Sequence, residues 1–411
     1  MFRLAHLLYC SVLPLICLLA APAWLLKMTR RGGWGSGLLE RLTVYDRDPE
    51  FEKNGAVYVH AVSVGEVLLA LKLIHAWHQE TGDHFVLVPT TATGMQVAKE
   101  KAPDFVRVIY APIDFSFLVR RVFTRFSPRA IVLMESELWP NLILQAHKLG
   151  IPIGIANARL SPRSVRRLLK LKSLVNPIIS KIDRIGIPEE SELERWQNVG
   201  ARPEATILTG NVKFDPLGAA VPQKRDEFSQ MLAAFKSDKK VAMAVSTFAG
   251  EEEFLAAAFR EAGALPVVVP RHAERRAEVS SALAGKAILR SQFSPPQGDE
   301  TFVIDSTGEL RDWIAHADVV VIGKSFISKG GQNPAEAIQA GIPVICGPHM
   351  ANFEPLVTEL KKADAIWSVT THGELVTALR EALSDPFAKV AAASRVLEKH
   401  EGAVARTIAL F

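Results

Sequence analysis

Apolar positions in this chain fall into two kinds of run, and the two kinds alternate. Short blocks rich in valine, isoleucine and leucine come first: AVYVHAVSV (56–64), HFVLVPTTA (84–92), RVIYAPI (107–113), AIVLMES (130–136), IPIGIANA (151–158), RIGI (184–187) and TILTGNV (206–212). Between them lie amphipathic stretches such as LLALKLIHAWHQE and ELWPNLILQAHKLG. Strands apolar on both faces, separated by helices, predict a parallel sheet covered on both sides. The pattern then restarts with VAMAVST (241–247), LPVVVPR (265–271), AILR (287–290), TFVI (301–304), ADVVVIG (317–323) and IPVICGP (342–348). Two doubly wound α/β domains are therefore expected, joined near residues 205–215. The 411 residues suffice for two cores, at ~100–200 residues per domain.

The N-terminus departs from this alternation. LLYCSVLPLICLLAAPAWLL (7–26) carries no charge and has about the length needed to cross a bilayer core of ~30 Å. It reads as an uncleaved anchor rather than a signal peptide. Lys27, Arg30 and Arg31 follow. The positive-inside bias then keeps the globular body in the cytoplasm, where these cations can also meet anionic head groups. The expected division is an anchor over 1–29, a first domain over 30–208 and a second over 209–411.

Composition narrows the function. A formal charge of +4 is too small to argue for nucleic acid, and is compatible with an anionic membrane surface or an acidic substrate. Cys10, Cys17 and Cys346 show no metal-ligand spacing and fit a reducing compartment. No G-x-G-x-x-G follows the first strand and no G-x-x-x-x-G-K-[ST] occurs, so the dinucleotide fingerprint and the Walker A loop are absent.

Open α/β sheets bind ligands beyond the carboxyl ends of their strands, which selects a few short segments. Ser63 to Glu66 reads as a capping box, or as a sharp turn at Gly65 that leaves Glu66 facing a cleft. Glu135 and Glu137 in MESELWPN can supply acid or base groups, or Glu135 can pair with a cation such as Arg159. Lys213 in TGNVKFD either faces the cleft or is a surface lysine. Arg271 suits bidentate contact with a phosphate, or else opens an exposed, salt-bridged helix. Ser246 and Thr247 read first as caps for the helix bearing Glu251 to Glu253. In KGGQNPAEAIQ, Gly330 and Gly331 permit close backbone approach, and Asn333-Pro334 opens a helix whose N–H groups can receive a phosphate. Glu336 there can accept from sugar hydroxyls, and the alternative is a glycine-rich turn capped by Asn333.

Taken in order, HAVSVGE, ATG, MESELWPN, ANARLSPRS, TGNVKFD, VPRHAER and GGQNPAEA with GIPVICGPH resemble the 3-deoxy-D-manno-octulosonic acid (Kdo) transferases of lipopolysaccharide synthesis. The resemblance runs from about residue 30 to the C-terminus. It implies a GT-B glycosyltransferase: an acceptor-binding and a CMP-sugar-binding Rossmann-like domain with an interdomain cleft, anchored in the cell inner membrane. It further implies inverting transfer of Kdo from CMP-Kdo to a lipid A precursor (lipid IVA), with no cofactor and no metal. On that pattern Glu66 falls at the general base, and Glu135 and Lys213 at transition-state stabilisation. CMP contacts fall on Pro270 and Arg271, on Thr307, Gly308 and Glu309, and on Asn333, Pro334, Ala335 and Glu336. The chain departs from the family where Gly-Gly-His-Asn is Gly330-Gly331-Gln332-Asn333, and where Gly-Gly-Ser/Thr-Phe is Gly323-Lys324-Ser325-Phe326. Two other readings stay open. One is a GT-B transferase or epimerase working on a UDP-sugar; the other is a non-catalytic, membrane-tethered nucleotide-sugar-binding protein.

Overall fold

The computed structural model describes residues 2–30, 37–217, 222–235 and 238–411. They form two compact units, Met1–Gly218 with His400–Phe411, and Ala219–Lys399. In the first, β1 (Val57–Ala61), β2 (Phe85–Pro89), β3 (Val106–Val108), β4 (Ala130–Met134), β5 (Ile153–Ala156), β6 (Arg184–Ile187) and β7 (Thr206–Leu208) order as β3-β2-β1-β4-β5-β6-β7. In the second, β8 (Val241–Thr247), β9 (Leu265–Pro270), β10 (Ala287–Leu289), β11 (Thr301–Val303), β12 (Val319–Ile322), β13 (Val344–Cys346) and β14 (Trp367–Ser368) order as β10-β11-β9-β8-β12-β13-β14. Every described pairing is parallel. Thirteen strands coincide with the apolar blocks; β14, two residues long, is too short to give such a block.

The central strands β1, β2 and β4 are buried along their whole length, which is why their sequences show no polar alternation. Two apolar layers enclose them. One holds Tyr58, Ile131, Phe123 and Trp196, and the other Val59, Val132, Leu73 and Trp77. Strand order reverses between β1 and β4, and again between β8 and β12, so each unit has a switch point where ligand-binding loops diverge.

The division of the chain differs from the sequence expectation at both of its ends. Residues 209–218 and 400–411 were expected in the second domain, yet they pack on the first unit. Buried contacts hold them there: Val212, Val404 and Ile408 share a core with Val67 and Leu71. The Val404 N–H donates to Asp215 Oδ2 (2.7 Å), and the Val212 N–H to Asn157 Oδ1 (3.1 Å).

The N-terminal helix runs from Phe2 to Arg30, and its Phe2–Ala20 stretch, with mean hydropathy 1.9, is long and apolar enough to cross a membrane. Leu4, Leu7, Leu15, Leu18 and Leu19 are exposed on it. Its polar groups instead meet the first unit, where Tyr9 donates to Asp114 Oδ2 (2.8 Å) and the His6 ring lies 2.9 Å from Asn141 Oδ1. Of the three cations expected to orient it, Arg31 lies outside the described residues.

Gly154 on β5 marks the tightest seat of the returning chain, because a Cβ there would lie 2.5 Å from the Phe411 ring and 2.8 Å from the Arg184 carbonyl. Overpacking of this kind costs about 1–3 kcal/mol. Gly154→Ala is expected to lower the urea midpoint accordingly, and Phe411→Ala in the same background to restore part of the loss. An unchanged midpoint for Gly154→Ala would contradict this seating.

Candidate functional site

The candidate groups of the first unit gather around its switch point. β1 and β4 run side by side with His60 opposite Leu133, so the turns that follow them, Val62 to Glu66 and Glu135 to Trp139, leave the sheet together. Glu66 lies in the first turn of the helix Val64–Thr81. It is buried, and its carboxylate is fixed by two local donors. The Val62 N–H reaches Oε2 and the Ser63 hydroxyl reaches Oε1, both at 2.8 Å. Ser63 Oγ in turn accepts from the Glu66 N–H at 3.4 Å. Both readings of this stretch thus meet in one residue. Glu66 is part of the cap, although it serves the Val62 N–H rather than that of the N-cap residue. Each carboxylate oxygen has two lone-pair sites, so one on each stays open for a ligand.

Glu135 follows β4 with φ 56, and Asn157 follows β5 with φ 55. Left-handed backbone at a non-glycine residue costs of the order of 1–3 kcal/mol and clusters at functional sites. At Glu135 it is held by a bond from its N–H to the Ala156 carbonyl (2.9 Å). Burial raises the Glu135 carboxyl above its ordinary range; the charge of Arg159 opposes this, Glu66 adds to it, and Lys213 opposes it. Lys213 shows the counterpart. Its ammonium is lowered by desolvation and by Arg159, and raised by Glu135. Glu66, Glu135, Arg159 and Lys213 therefore share one electrostatic field. Lys213 sits in a turn buttressed by Asn211, whose Oδ1 accepts the Lys213 N–H at 3.1 Å, and by the Lys72 ammonium, which donates to the Val212 carbonyl at 3.0 Å.

Glu137 is pushed up to about 7, chiefly by burial and then by the Glu66 charge, while the bond from Trp139 Nε1 (2.9 Å) works the other way. Trp139 also faces the buried His60 ring at 5.5 Å. Burial lowers that imidazole to about 4, so it is neutral at physiological pH.

In the second unit the nucleotide-contact candidates occupy loops at the carboxyl ends of β9, β11 and β12. Arg271 follows β9 with an exposed side chain, its N–H bonded to the Thr247 carbonyl (3.1 Å); Pro270 before it is buried. Thr307 and Gly308, which has φ 85, are exposed. The Glu309 carboxylate is already engaged by Arg290 (3.0 Å) and the Ser306 hydroxyl (2.5 Å). Asn333 Oδ1 accepts the Ala335 N–H at 3.1 Å, and its amide lies 3.4 Å from Glu336 Oε1. The helix after Pro334, Ala335–Gln339, is only five residues long. Gly331, with φ 68, admits no side chain: a Cβ would sit 2.4 Å from Met350 Sδ.

Two features were not found by sequence reasoning. Glu251, fully buried, accepts the N–H groups of Phe248 (3.1 Å), Lys324 (2.6 Å) and Phe326 (3.2 Å) and so shapes the loop after β12. Its only sequence signal is the acidic run GEEE. Asn157 carries the other, tying the Lys213 turn to β5. The capping expected of Ser246 and Thr247 is not observed. The helix Glu252–Glu261 begins after an intervening turn, with no side-chain cap, and the Thr247 hydroxyl instead donates to Glu252 Oε1 (3.0 Å).

Two parallel-sheet units of this topology, with charged loops at each switch point, define the GT-B class of glycosyltransferases. The UDP-GlcNAc 2-epimerase of Neisseria meningitidis, solved with UDP-GlcNAc, shares the fold at 13% identity and TM-score 0.54, over 84% of this chain and 99% of that one. The family model for 3-deoxy-D-manno-octulosonic-acid transferase (kdotransferase) matches residues 36–216. The 3-deoxy-D-manno-octulosonic acid transferase of Haemophilus influenzae is 32% identical over 338 residues, 80% of this chain and 78% of that protein. That of Bordetella pertussis is 31% identical over 373 residues, 86% of each chain. The chain belongs to the Kdo transferase family.

Two outcomes test this geometry. Glu251→Ala removes the acceptor of the Phe248, Lys324, Phe326 and Ile327 N–H groups, at about 1–3 kcal/mol for each one left buried and unsatisfied, and is expected to lower the unfolding free energy by about 3 kcal/mol or more in urea; a loss below about 0.5 kcal/mol would contradict its role. Glu137 binds its proton more tightly folded (about 7) than at its ordinary value of 4.5. Its contribution is thus fully present below the lower value and is lost as pH rises through the upper one. The melting temperature of Glu137→Gln, relative to the native protein, should be higher at pH 8 than at pH 5; an equal difference at both pH values would show that Glu137 is not raised.

Proposed function

We propose that this protein transfers Kdo from CMP-Kdo to a sugar hydroxyl of a lipid A precursor, lipid IVA, with inversion and without a metal. The observation that carries the reading is the Glu66 carboxylate, clamped between the Val62 N–H and the Ser63 hydroxyl beside a second carboxylate and two cations. The acceptor hydroxyl gives its proton to a free lone pair of Glu66 as its oxygen attacks the anomeric carbon. The bond from that carbon to the CMP phosphate breaks, and CMP leaves with the electron pair. A fixed base contributes ~10²–10⁴-fold to such a step. Lys213 and Arg271 are cations suited to the charge that develops on the leaving phosphate, and Glu135 to the positive character at the sugar ring. Pro270, Thr307, Gly308, Glu309 and the segment Asn333 to Glu336 are proposed to hold CMP. Because the Glu309 carboxylate is occupied by Arg290 and Ser306, its contribution falls to the backbone of that turn.

The proposed topology puts the N-terminal helix through the inner membrane and the two units on its cytoplasmic side, so that enzyme and lipid acceptor share one surface. Glu66→Gln keeps the size of the side chain and an acceptor for one of its two local donors. With CMP-Kdo and lipid IVA it is expected to lower kcat by about 10²–10⁴-fold, with the Kd for CMP unchanged within about twofold. Transfer should be equal with and without EDTA. Undiminished transfer by Glu66→Gln would overturn the base assignment, and release of UDP rather than CMP from a sugar donor would overturn the Kdo reading.

A further inference from the structure

The first unit contains a cavity of about 470 Å³ between the turn Ser136–Pro140 and the helices Pro162–Lys170 and Lys172–Ile179. Apolar side chains make most of its wall, among them Leu160, Leu168, Leu171, Leu174 and Ile178. Charged groups reach it from two places, Glu137 on the turn after β4 and Arg167 on the exposed helix. Its size lies within the ~300–1,000 Å³ typical of small-molecule sites. Apolar walls of this kind do not hold water well. A second cavity, of about 370 Å³, shares Tyr9, Leu171 and Leu174 with the first and is lined on its far side by Leu8, Val12 and Ile16 of the N-terminal helix.

We propose that these adjoining cavities receive one acyl chain of a phosphorylated glycolipid acceptor. The proposal rests on the acceptor reading given above. Three observations select this occupant. The second cavity is lined by a helix apolar enough to lie in lipid, so a hydrocarbon chain can enter without crossing water. The first cavity is lined at its other side by the turn Ser136–Pro140, which directly follows Glu135, so a chain whose tail runs toward the N-terminal helix leaves its sugar head beside the proposed base. On the two helices that wall the cavities, Arg163, Arg166, Arg167, Lys170 and Lys172 are all exposed, and none has an acidic partner among the described residues. Such a row complements phosphates on the head. A neutral apolar ligand would leave the cations without a role, and a soluble nucleotide would leave the leucines without one.

The test uses the full chain in lipid vesicles and lipid IVA carrying a photoreactive diazirine at the end of one acyl chain. Label is expected within residues 168–179 and on the inward side of residues 5–16 of the N-terminal helix, and to persist in a roughly tenfold excess of phosphatidylglycerol. It should fall by at least about tenfold in Leu168→Trp and Leu174→Trp, which fill the space with indole. In wild-type transfer assays, lipid IVA should show a KM at least about tenfold below that of its fully deacylated form, and this ratio should collapse toward one in the two variants. Label displaced by phosphatidylglycerol would mean that the cavities take bulk membrane lipid, and label confined to the outer face of the N-terminal helix would mean that they take no chain; either overturns the proposal. So would variants that fold, by their melting curves, yet keep the native label and KM ratio. If neither variant folds, the position of the label on the wild-type chain decides. Absence of transfer to either acceptor from CMP-Kdo would remove the functional reading, while the labelling still decides the pocket.

Discussion

A parallel strand that ends inside a protein leaves backbone N–H groups that no neighbour strand can take, and each must find an acceptor. In this molecule several of these acceptors, at strand ends and at the helix starts that follow, are buried acidic side chains. Glu66 takes Val62; Glu251 takes Phe248, Lys324 and Phe326; Asp114 takes Asn141 and Leu142; Asp305 takes Ser291. Ser325 does the same for Gly347 through its hydroxyl (2.8 Å). The turns at the switch points are therefore pinned by their main chains. At Glu66 the pin and the proposed reactive group are the same carboxylate.

Pinning also explains how strained backbone persists next to the chemistry. Glu135 and Asn157 are both left-handed without being glycine. Asn157 is bonded to the Lys213 turn through its side chain, while Glu135 is bonded to β5 through its N–H. The acidic groups held so closely also shift one another. Glu137 rises because it is buried near Glu66, and Glu135 would rise further were it not for Arg159 and Lys213. Asp114, pushed up to about 6 mainly by burial, is held down by the N–H groups of Asn141 and Leu142 and by the Tyr9 hydroxyl.

Much of the sheet was legible because fully buried parallel strands write themselves as unbroken apolar blocks. β14 was not, since two residues cannot make a block. The strand-end rule also located Glu66, Glu135 and Arg271, because it needs only the strand and the residue after it. It could not find what Glu251 does, because two of the N–H groups it serves, those of Lys324 and Phe326, lie more than seventy residues away and are backbone, without a side-chain signature. The same limit misdirected the reading of Ser246 and Thr247. A cap was expected from residue type, but the chain turns once more before the helix starts. The place of residues 209–218 and 400–411 was hidden for a related reason: Asp215 and Val404 meet across 189 positions, and neither is unusual locally.

That return of the chain fixes an order of events during synthesis. Chains leave the ribosome N-terminus first and domains generally fold as they emerge. Yet Val404 and Ile408 belong to the core of the first unit, and the Phe411 ring lies 5.6 Å from that of Trp77. The earlier-made unit thus waits, with part of its apolar surface uncovered, until the later-made unit has been produced. During that interval the face around Gly154 and Trp77 lacks the cover that Phe411 provides in the finished protein.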